Sequence, residues 1–347
     1  MTAATPDDSV RDDLAEPKRQ RLRMHAMLTR SLLVVLILAI AGIMLWSQWL
    51  GTEAARRYPP KGSFVPVAGG RLHYRESTPA GEVRGTVVLV HGASSNHADL
   101  LATLGPELGH YRVIAIDRPG SGWSDRLEGD AMADPGRQAH ALMQGLDAIV
   151  PERFVLVAHS LGGAAATRIA LDRPERLRGL VLLGAVTHPW PGGIAWYHHV
   201  TGWPVVGPLF TRLVGVPAAS LLLRAGAESV FAPRPVTPGY LATGEIVLLL
   251  RPATFRANSQ DIAATFDFVS AQVPRYRDLK VPVVAITGDS DAIVSPTIHS
   301  AAIAKQAPQG RFVLLPGVGH MPHHAAPEIV VEAIDQIVGP RSGLALN

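Results

Sequence analysis

Hydrophobic positions in this chain fall into two regimes. Residues 31–50 are twenty positions without a charge, whereas from about residue 62 onward short apolar runs alternate with polar turns and longer mixed stretches. The first regime has the length that crosses a bilayer core as a helix, and Trp46 and Trp49 stand at its far end as interfacial aromatics do. In the second, residues 63–67 and 71–75 flank Gly69-Gly70 and predict a hairpin. Runs rich in β-branched residues or leucine at 85–90, 111–116, 153–157, 180–183, 281–286 and 311–315 predict six further strands. Helical stretches lie between several of them, at 136–149, 161–171, 296–305 and 327–337. A hairpin followed by this alternation predicts an α/β fold with an eight-stranded, mostly parallel sheet and helices on both faces. In such sheets the reactive groups lie beyond the carboxyl ends of the strands.

One interval breaks the rhythm. Residues 188–277, between the sixth and seventh strands, are too long for a loop and predict an inserted, mainly helical subdomain. The organisation expected is therefore a mobile polar tail (1–30), a transmembrane anchor (31–50), a linker (51–61) ending in Tyr58-Pro59-Pro60, and a main domain (62–347) carrying the insertion. No internal repeat or low-complexity tract is present.

Composition narrows the possibilities. At 347 residues and 47% hydrophobic content the chain can bury a substantial core. The net charge of +3 invites a nucleic-acid reading, but residues 1–30 hold six basic and five acidic side chains, which leaves 26 basic and 24 acidic beyond them and no basic run. No phosphate-binding footprint results, and no nucleic-acid partner is expected. The absence of cysteine removes disulfides, zinc–thiolate sites and thiol catalysis together. A cleaved signal would suit Ala39-Ile40-Ala41, but roughly thirty residues precede the apolar run and the run continues past that site, which favours an uncleaved anchor. Lys18, Arg19, Arg21, Arg23 and Arg30 precede the span, while Arg56, Arg57 and Lys61 follow it beside Glu53. This bias places the N-terminus in the cytoplasm and the main domain on the exported side, periplasmic or extracellular. A scaffold or transporter component would need more than one span.

The chemistry centres on Val155-Leu156-Val157-Ala158-His159-Ser160-Leu161-Gly162-Gly163, a buried strand turning abruptly into a helix with serine at the apex. Ala158 and Gly162 flank it as small residues must, in a variant of the G-x-S-x-G elbow; taken alone, a helix-capping serine explains the stretch equally well. Serine needs a base to take its proton, and the base needs an acid to orient it. Thr287-Gly288-Asp289-Ser290-Asp291 follows one strand and Gly317-Val318-Gly319-His320 follows the next, so both candidates fall at strand ends.

Over residues 62–340 the sequence resembles the α/β-hydrolase family, in its serine-nucleophile, esterase- and lipase-like branch. His91-Gly92-Ala93 resembles the oxyanion loop, and Asp117-Arg118-Pro119-Gly120-Ser121-Gly122-Trp123-Ser124 the D-x-x-G-x-G-x-S turn. Gly288 to Pro296 is similar to the acid loop, Gly319-His320 to the histidine loop, and Pro327-Glu328 to the start of the last helix. The resemblance implies Ser160 as nucleophile, His320 as base and Asp291, rather than Asp289, as acid. The backbone N–H groups of Ala93 and Leu161 would form the oxyanion hole. It further implies that His159 is a structural or access residue, that His91 packs and hydrogen-bonds within its loop, and that Asp117 and Arg118 form a structural pair. His323 and His324 are expected to face solvent or line the pocket; no metal set of the H-E-x-x-H kind accompanies them, and neither a metal nor another cofactor is implied.

In this family an insertion at this place is a cap over the pocket. Trp190, Trp196 and Trp203, with Phe210 among five phenylalanines, lie in it, and with His159 they are the expected pocket residues. An aromatic, charge-poor roof points to an apolar acyl or alcohol group, hence a small-molecule apolar ester as substrate. Carbon–carbon bond hydrolases, amidases and cofactor-independent peroxidases share the same three residues, and a non-catalytic binding module shares the fold. Oligomeric state is not legible.

Overall fold

The strands form where apolar residues alternate between two covered faces. A computed structural model describes residues 8–339, with side chains from Gln20 onward; residues 1–7 of the expected tail and 340–347 of the expected main domain lie outside the described residues. β1 (Ser63–Val67) and β2 (Gly70–Ser77) pair antiparallel as the hairpin. β3 (Thr86–Val90), β4 (Arg112–Ile116), β5 (Phe154–His159), β6 (Leu177–Leu183), β7 (Val283–Gly288) and β8 (Gly310–Leu315) complete one eight-stranded sheet in the order β1-β2-β4-β3-β5-β6-β7-β8. β2 also runs antiparallel to β4, and all other neighbours are parallel.

Val88, Val90, Leu156, Ala158, Leu180 and Leu182 face one core, while Val87, Leu89, Val155, Val157, Val181 and Leu183 face another. Burial on both sides is why these strands read as unbroken apolar runs, and each fully buried Val or Leu contributes roughly 1.5–3 kcal/mol. The first core is closed by α3 (Pro135–Ile149) and α4 (Gly162–Asp172), the second by α2 (His97–Leu104) and α12 (Pro327–Val338). α3 starts where Asp134 accepts from the Arg137 N–H and Pro135 occupies the first turn.

The chain between β6 and β7 is helical, as expected of the insertion. It holds α5 (Trp196–Val200), α6 (Val206–Phe210), a π turn at Thr211–Gly215, α7 (Val216–Phe231), α8 (Tyr240–Thr243) and α9 (Pro252–Gln272). α10 (Ala302–Gln306) and α11 (Pro322–Ala325) flank β8. Among the described residues, two helical stretches are long and apolar enough to cross a membrane, Gln20–Arg57 and, within the insertion, Val206–Phe231.

Before the sheet comes α1 (Asp8–Arg57), and it departs from the expected tail and linker. The chain divides into two units at Trp46 and Ser47. In the first, the helix is continuous from Asp8 onward, so the described part of the polar tail is helical; in the second, it runs on to Arg57, so most of the expected linker is helical too. Within that second unit residues 47–57 are packed: Ser47 and Ala54 are buried, and Ser47 donates to the Arg212 carbonyl in the insertion. Gly51 makes the approach possible, since a Cβ there would lie 2.9 Å from Pro252 Cδ and 3.1 Å from Arg251 Cα. Tertiary packing, not composition, makes this segment helical. Gly51→Val is therefore expected to destabilise the unit by about 1–3 kcal/mol through overpacking; a thermal midpoint equal to that of wild type would refute the contact.

Candidate active site

At the carboxyl end of the sheet, β5 ends at His159 and α4 begins at Gly162, which leaves Ser160 to carry the reversal. Its φ is 50°, a left-handed conformation that costs a non-glycine residue of order 1–3 kcal/mol and that surrounding structure must hold. That structure is visible in three bonds. The Ser160 N–H donates to the Leu183 carbonyl at 3.0 Å, and the Ser160 carbonyl accepts from Gly163 at 3.0 Å and Val186 at 2.9 Å.

The loop after β8 brings His320 over the serine. The Ser160 hydroxyl donates to His320 Nε2 at 2.8 Å, and His320 Nδ1 donates to Asp291 Oδ2 at 2.8 Å. Asp291 is oriented in turn, because its Oδ1 accepts from the Ile293 and Val294 N–H groups, each at 2.9 Å. All three side chains are buried. Asp289 is engaged elsewhere, with its Oδ1 accepting from the Gly317 N–H and the Ser290 hydroxyl.

The loop after β3 lies against the elbow. A Cβ on Gly92 would sit 2.7 Å from Ser160 Cβ, and one on Gly162 would sit 2.5 Å from the His91 carbonyl. The Ala93 and Leu161 N–H groups donate to nothing among the described residues, so both are free for an incoming oxygen. His91 holds its loop: Nδ1 donates to the Gly92 carbonyl at 2.8 Å while Nε2 accepts from the Arg118 N–H at 3.0 Å. That pattern needs a neutral ring, and burial accordingly pushes its pKa down to about 3.

A cavity of about 530 Å³ opens above Ser160 and is lined by His159, His320, Asp99 and a largely apolar wall from α5, α7, α8 and α9. His159 takes the expected supporting place, donating from Nε2 to the His320 carbonyl at 3.0 Å, and burial holds its pKa well below the ordinary value. The aromatic expectation is corrected. Trp190 packs on Phe266 and His299, Trp196 and Trp203 are exposed, and Phe210 lies against Trp196; none of the four lines the cavity. Leu222, Leu223, Ala227 and Val230 of α7, with Tyr197, Phe255 and Met321, take that role, because the rotation of each helix rather than its aromatic content decides what faces inward.

Two further expectations change. Asp117 and Arg118 do not pair with each other: Asp117 accepts from the His73 ring, the His97 amide and ring and the Trp123 amide, while Arg118 bonds Asp261, Gln138 and the Gly92 carbonyl. His323 is fully buried and His324 bonds Asp99 at 2.9 Å, so neither is a solvent-facing residue. Asp99 itself was missed, since nothing in the sequence marks an acid on α2 as part of a cavity floor. Among the described residues two sets, the buried His73–His97–Asp117 and the largely buried Asp99–His323–His324, gather ligand atoms within 4.8 Å. The first has its carboxylate occupied by four donors, and neither set includes Ser160.

An elbow serine at the carboxyl end of β5, a histidine after β8 and an acid after β7 on a mostly parallel eight-stranded sheet define a class of hydrolytic enzyme. The chain matches the alpha/beta hydrolase fold over residues 85–327 and belongs to that family. It is 27% identical over 267 residues to the 2-(acetamidomethylene)succinate hydrolase of Mesorhizobium japonicum, covering 73% of this chain and 87% of that enzyme. It is 26% identical over 270 residues to a pimeloyl-[acyl-carrier protein] methyl ester esterase of Edwardsiella ictaluri, covering 74% and 94%. Among solved structures, a membrane phospholipase A described as a bacterial virulence factor superposes with a TM-score of 0.61 at 21% identity, covering 92% of this chain and 98% of that one. The chain is an α/β-hydrolase enzyme.

Buried neutral histidines also set how stability responds to pH. His91 titrates at about 3 and His299 at about 4 in the fold, both lowered first by burial. The unfolded chain therefore binds more protons below pH 6.5, and stability present above that value is lost as pH falls toward the folded pKa values. His91 alone accounts for roughly 1.4 kcal/mol per pH unit in that window. Thermal melts are expected to show a midpoint that drops between pH 7 and pH 5, with a shallower slope in His91→Asn; a midpoint flat across that range would refute this.

Proposed function

We propose that this chain is a serine carboxylester hydrolase, tethered to a membrane by its N-terminal apolar helix with the catalytic unit on the exported side. Its substrates are esters with a small to medium apolar acyl group. The observation that carries the reading is the continuous hydrogen-bond path from Ser160 through His320 to Asp291, opening on a cavity whose wall, among the described residues, contains no Lys or Arg. As His320 Nε2 takes the hydroxyl proton, Ser160 Oγ attacks the ester carbonyl and the new oxyanion is received by the Ala93 and Leu161 N–H groups, each worth roughly 3 kcal/mol. His320 then gives its proton to the departing alcohol oxygen. Water, deprotonated by the same ring, releases the acid and restores the serine, while Asp291 keeps the ring in one orientation and stabilises its charged form.

The cavity wall also bears on which relatives are informative. The succinate named for the Mesorhizobium enzyme is a dicarboxylate, and such a ligand calls for cationic partners that this wall lacks. A neutral ester, as named for the Edwardsiella enzyme, fits it better.

On p-nitrophenyl esters of increasing chain length, Ser160→Ala is expected to lower kcat by at least about 10⁴-fold, and Asp291→Asn by roughly 10⁴-fold. Wild type should label with a fluorophosphonate probe. Unchanged turnover in Ser160→Ala, or a wild-type chain that stays unlabelled, would overturn the assignment.

A further inference from the structure

The outer surface of the insertion is apolar and continuous with the inside of the cavity. Val205 and Leu221 are each 75% exposed, Trp203 56% and Leu222 61%, and Val206, Leu209 and Val214 are exposed as well. Isolated surface leucines need no explanation, but a set this dense on one short stretch does. Leu222 and Tyr197 belong to both surfaces, since each is exposed to the outside and each lines the cavity above Ser160. The π turn at Thr211–Gly215 contributes to the grouping: its wider turn delays the helix rotation and brings Val214 and Leu221 toward the side occupied by Val206 and Leu209.

Charge follows the same line. Between Glu175 and Glu228 the sequence contains no acidic residue, Arg212 lies among the apolar positions, and Arg224 pairs with Glu228 at 3.0 Å. An exposed apolar stretch with arginine along it and no carboxylate of its own has the composition of a segment lying in the headgroup region of a bilayer. Within the second unit, residues 47–57, which begin inside the apolar stretch at 31–50 and run on in sequence from it, pack on this insertion through Ser47 and Gly51.

We infer that the outer face formed by Trp203, Val206, Leu209, Val214 and Leu221 seats in the surface of the membrane that holds the N-terminal helix, and that acyl esters dissolved in that bilayer enter the cavity past Leu222 and Tyr197. The substrate class is thus a bilayer-partitioned ester rather than a freely water-soluble one. The inference rests on the membrane-tethered esterase reading above.

The chain has no cysteine, so single cysteines can be labelled specifically with an environment-sensitive fluorophore. Full-length Leu221→Cys, Val34→Cys and Glu82→Cys chains are placed in phosphatidylcholine vesicles with phosphatidylglycerol as the minor lipid and doxyl-labelled phosphatidylcholine as quencher. Quenching is expected at 34 and 221 and not at 82, which lies on the loop before β3 at the opposite end of the sheet. Quenching at 34 without quenching at 221 overturns the inference and leaves the anchor standing, as does cross-linking of two Leu221→Cys chains through an unquenched 221. Absence of quenching at 34 overturns both. In the same vesicles the Val205→Glu, Leu209→Glu, Leu221→Glu chain should retain turnover of p-nitrophenyl acetate within about twofold and lose about fivefold or more on bilayer-dissolved p-nitrophenyl decanoate. Equal effects on the two esters overturn the inference.

Discussion

Much of this molecule is arranged around one backbone constraint, the positive φ at Ser160 between β5 and α4. A left-handed serine is stable only where its carbonyl and N–H are both claimed and nothing large stands beside it. Leu183 on β6 and Val186 just beyond it supply the hydrogen bonds, and Ala158, Gly162 and Gly92 supply the space. The neighbours of β5 in the sheet are therefore not interchangeable. β6 must lie on one side to hold the turn, and the loop after β3 must lie on the other to bring the Ala93 amide beside Ser160.

Burial explains why a chain with fourteen histidines uses them so differently. His91, His159 and His299 are enclosed, held in their neutral forms first by burial, and each bonds backbone groups through at least one ring nitrogen. His73 differs, because its ring lies between two acceptors, the Asp117 carboxylate and the Lys61 carbonyl. Among the described residues, His320 alone bonds both a serine hydroxyl and a carboxylate through its ring, whereas His324 bonds Asp99 and threonine hydroxyls. The chemistry follows from partners, not from residue type.

Much of the sheet was legible because its strands are short, β-branched and covered on both faces, a pattern that survives without tertiary information. The predicted 63–67 and the observed β1 coincide, and the other strands differ by a few residues at their ends. The strand-end loops that carry Ser160, Asp291 and His320 were legible for a related reason, since small residues mark their turns, whereas the preference for Asp291 over Asp289 came from the resemblance to the α/β-hydrolase family. The helical character of the linker was not legible, because residues 51–57 carry charges and a glycine that read as loop, and only contact of Gly51 with Pro252 and Arg251 shows them as a packed helix. Asp99 was hidden for the same reason, as an acid on an ordinary amphipathic helix whose partners His323 and His324 lie more than two hundred residues away.

What the sequence alone determined, then, is the α/β order of elements, the strand-end positions of the serine, acid and histidine, and the existence of a long insertion. All of these follow from local periodicity and turn chemistry. Which insertion residues face the serine was decided only in three dimensions. Trp196 and Trp203 read as pocket aromatics by composition, yet both are exposed, Trp203 in the turn between α5 and α6, and the rotation of α7 sets Leu222, Leu223 and Ala227 at the cavity wall. Hydrophobicity specifies that a side chain avoids water, but packing specifies which apolar surface it meets.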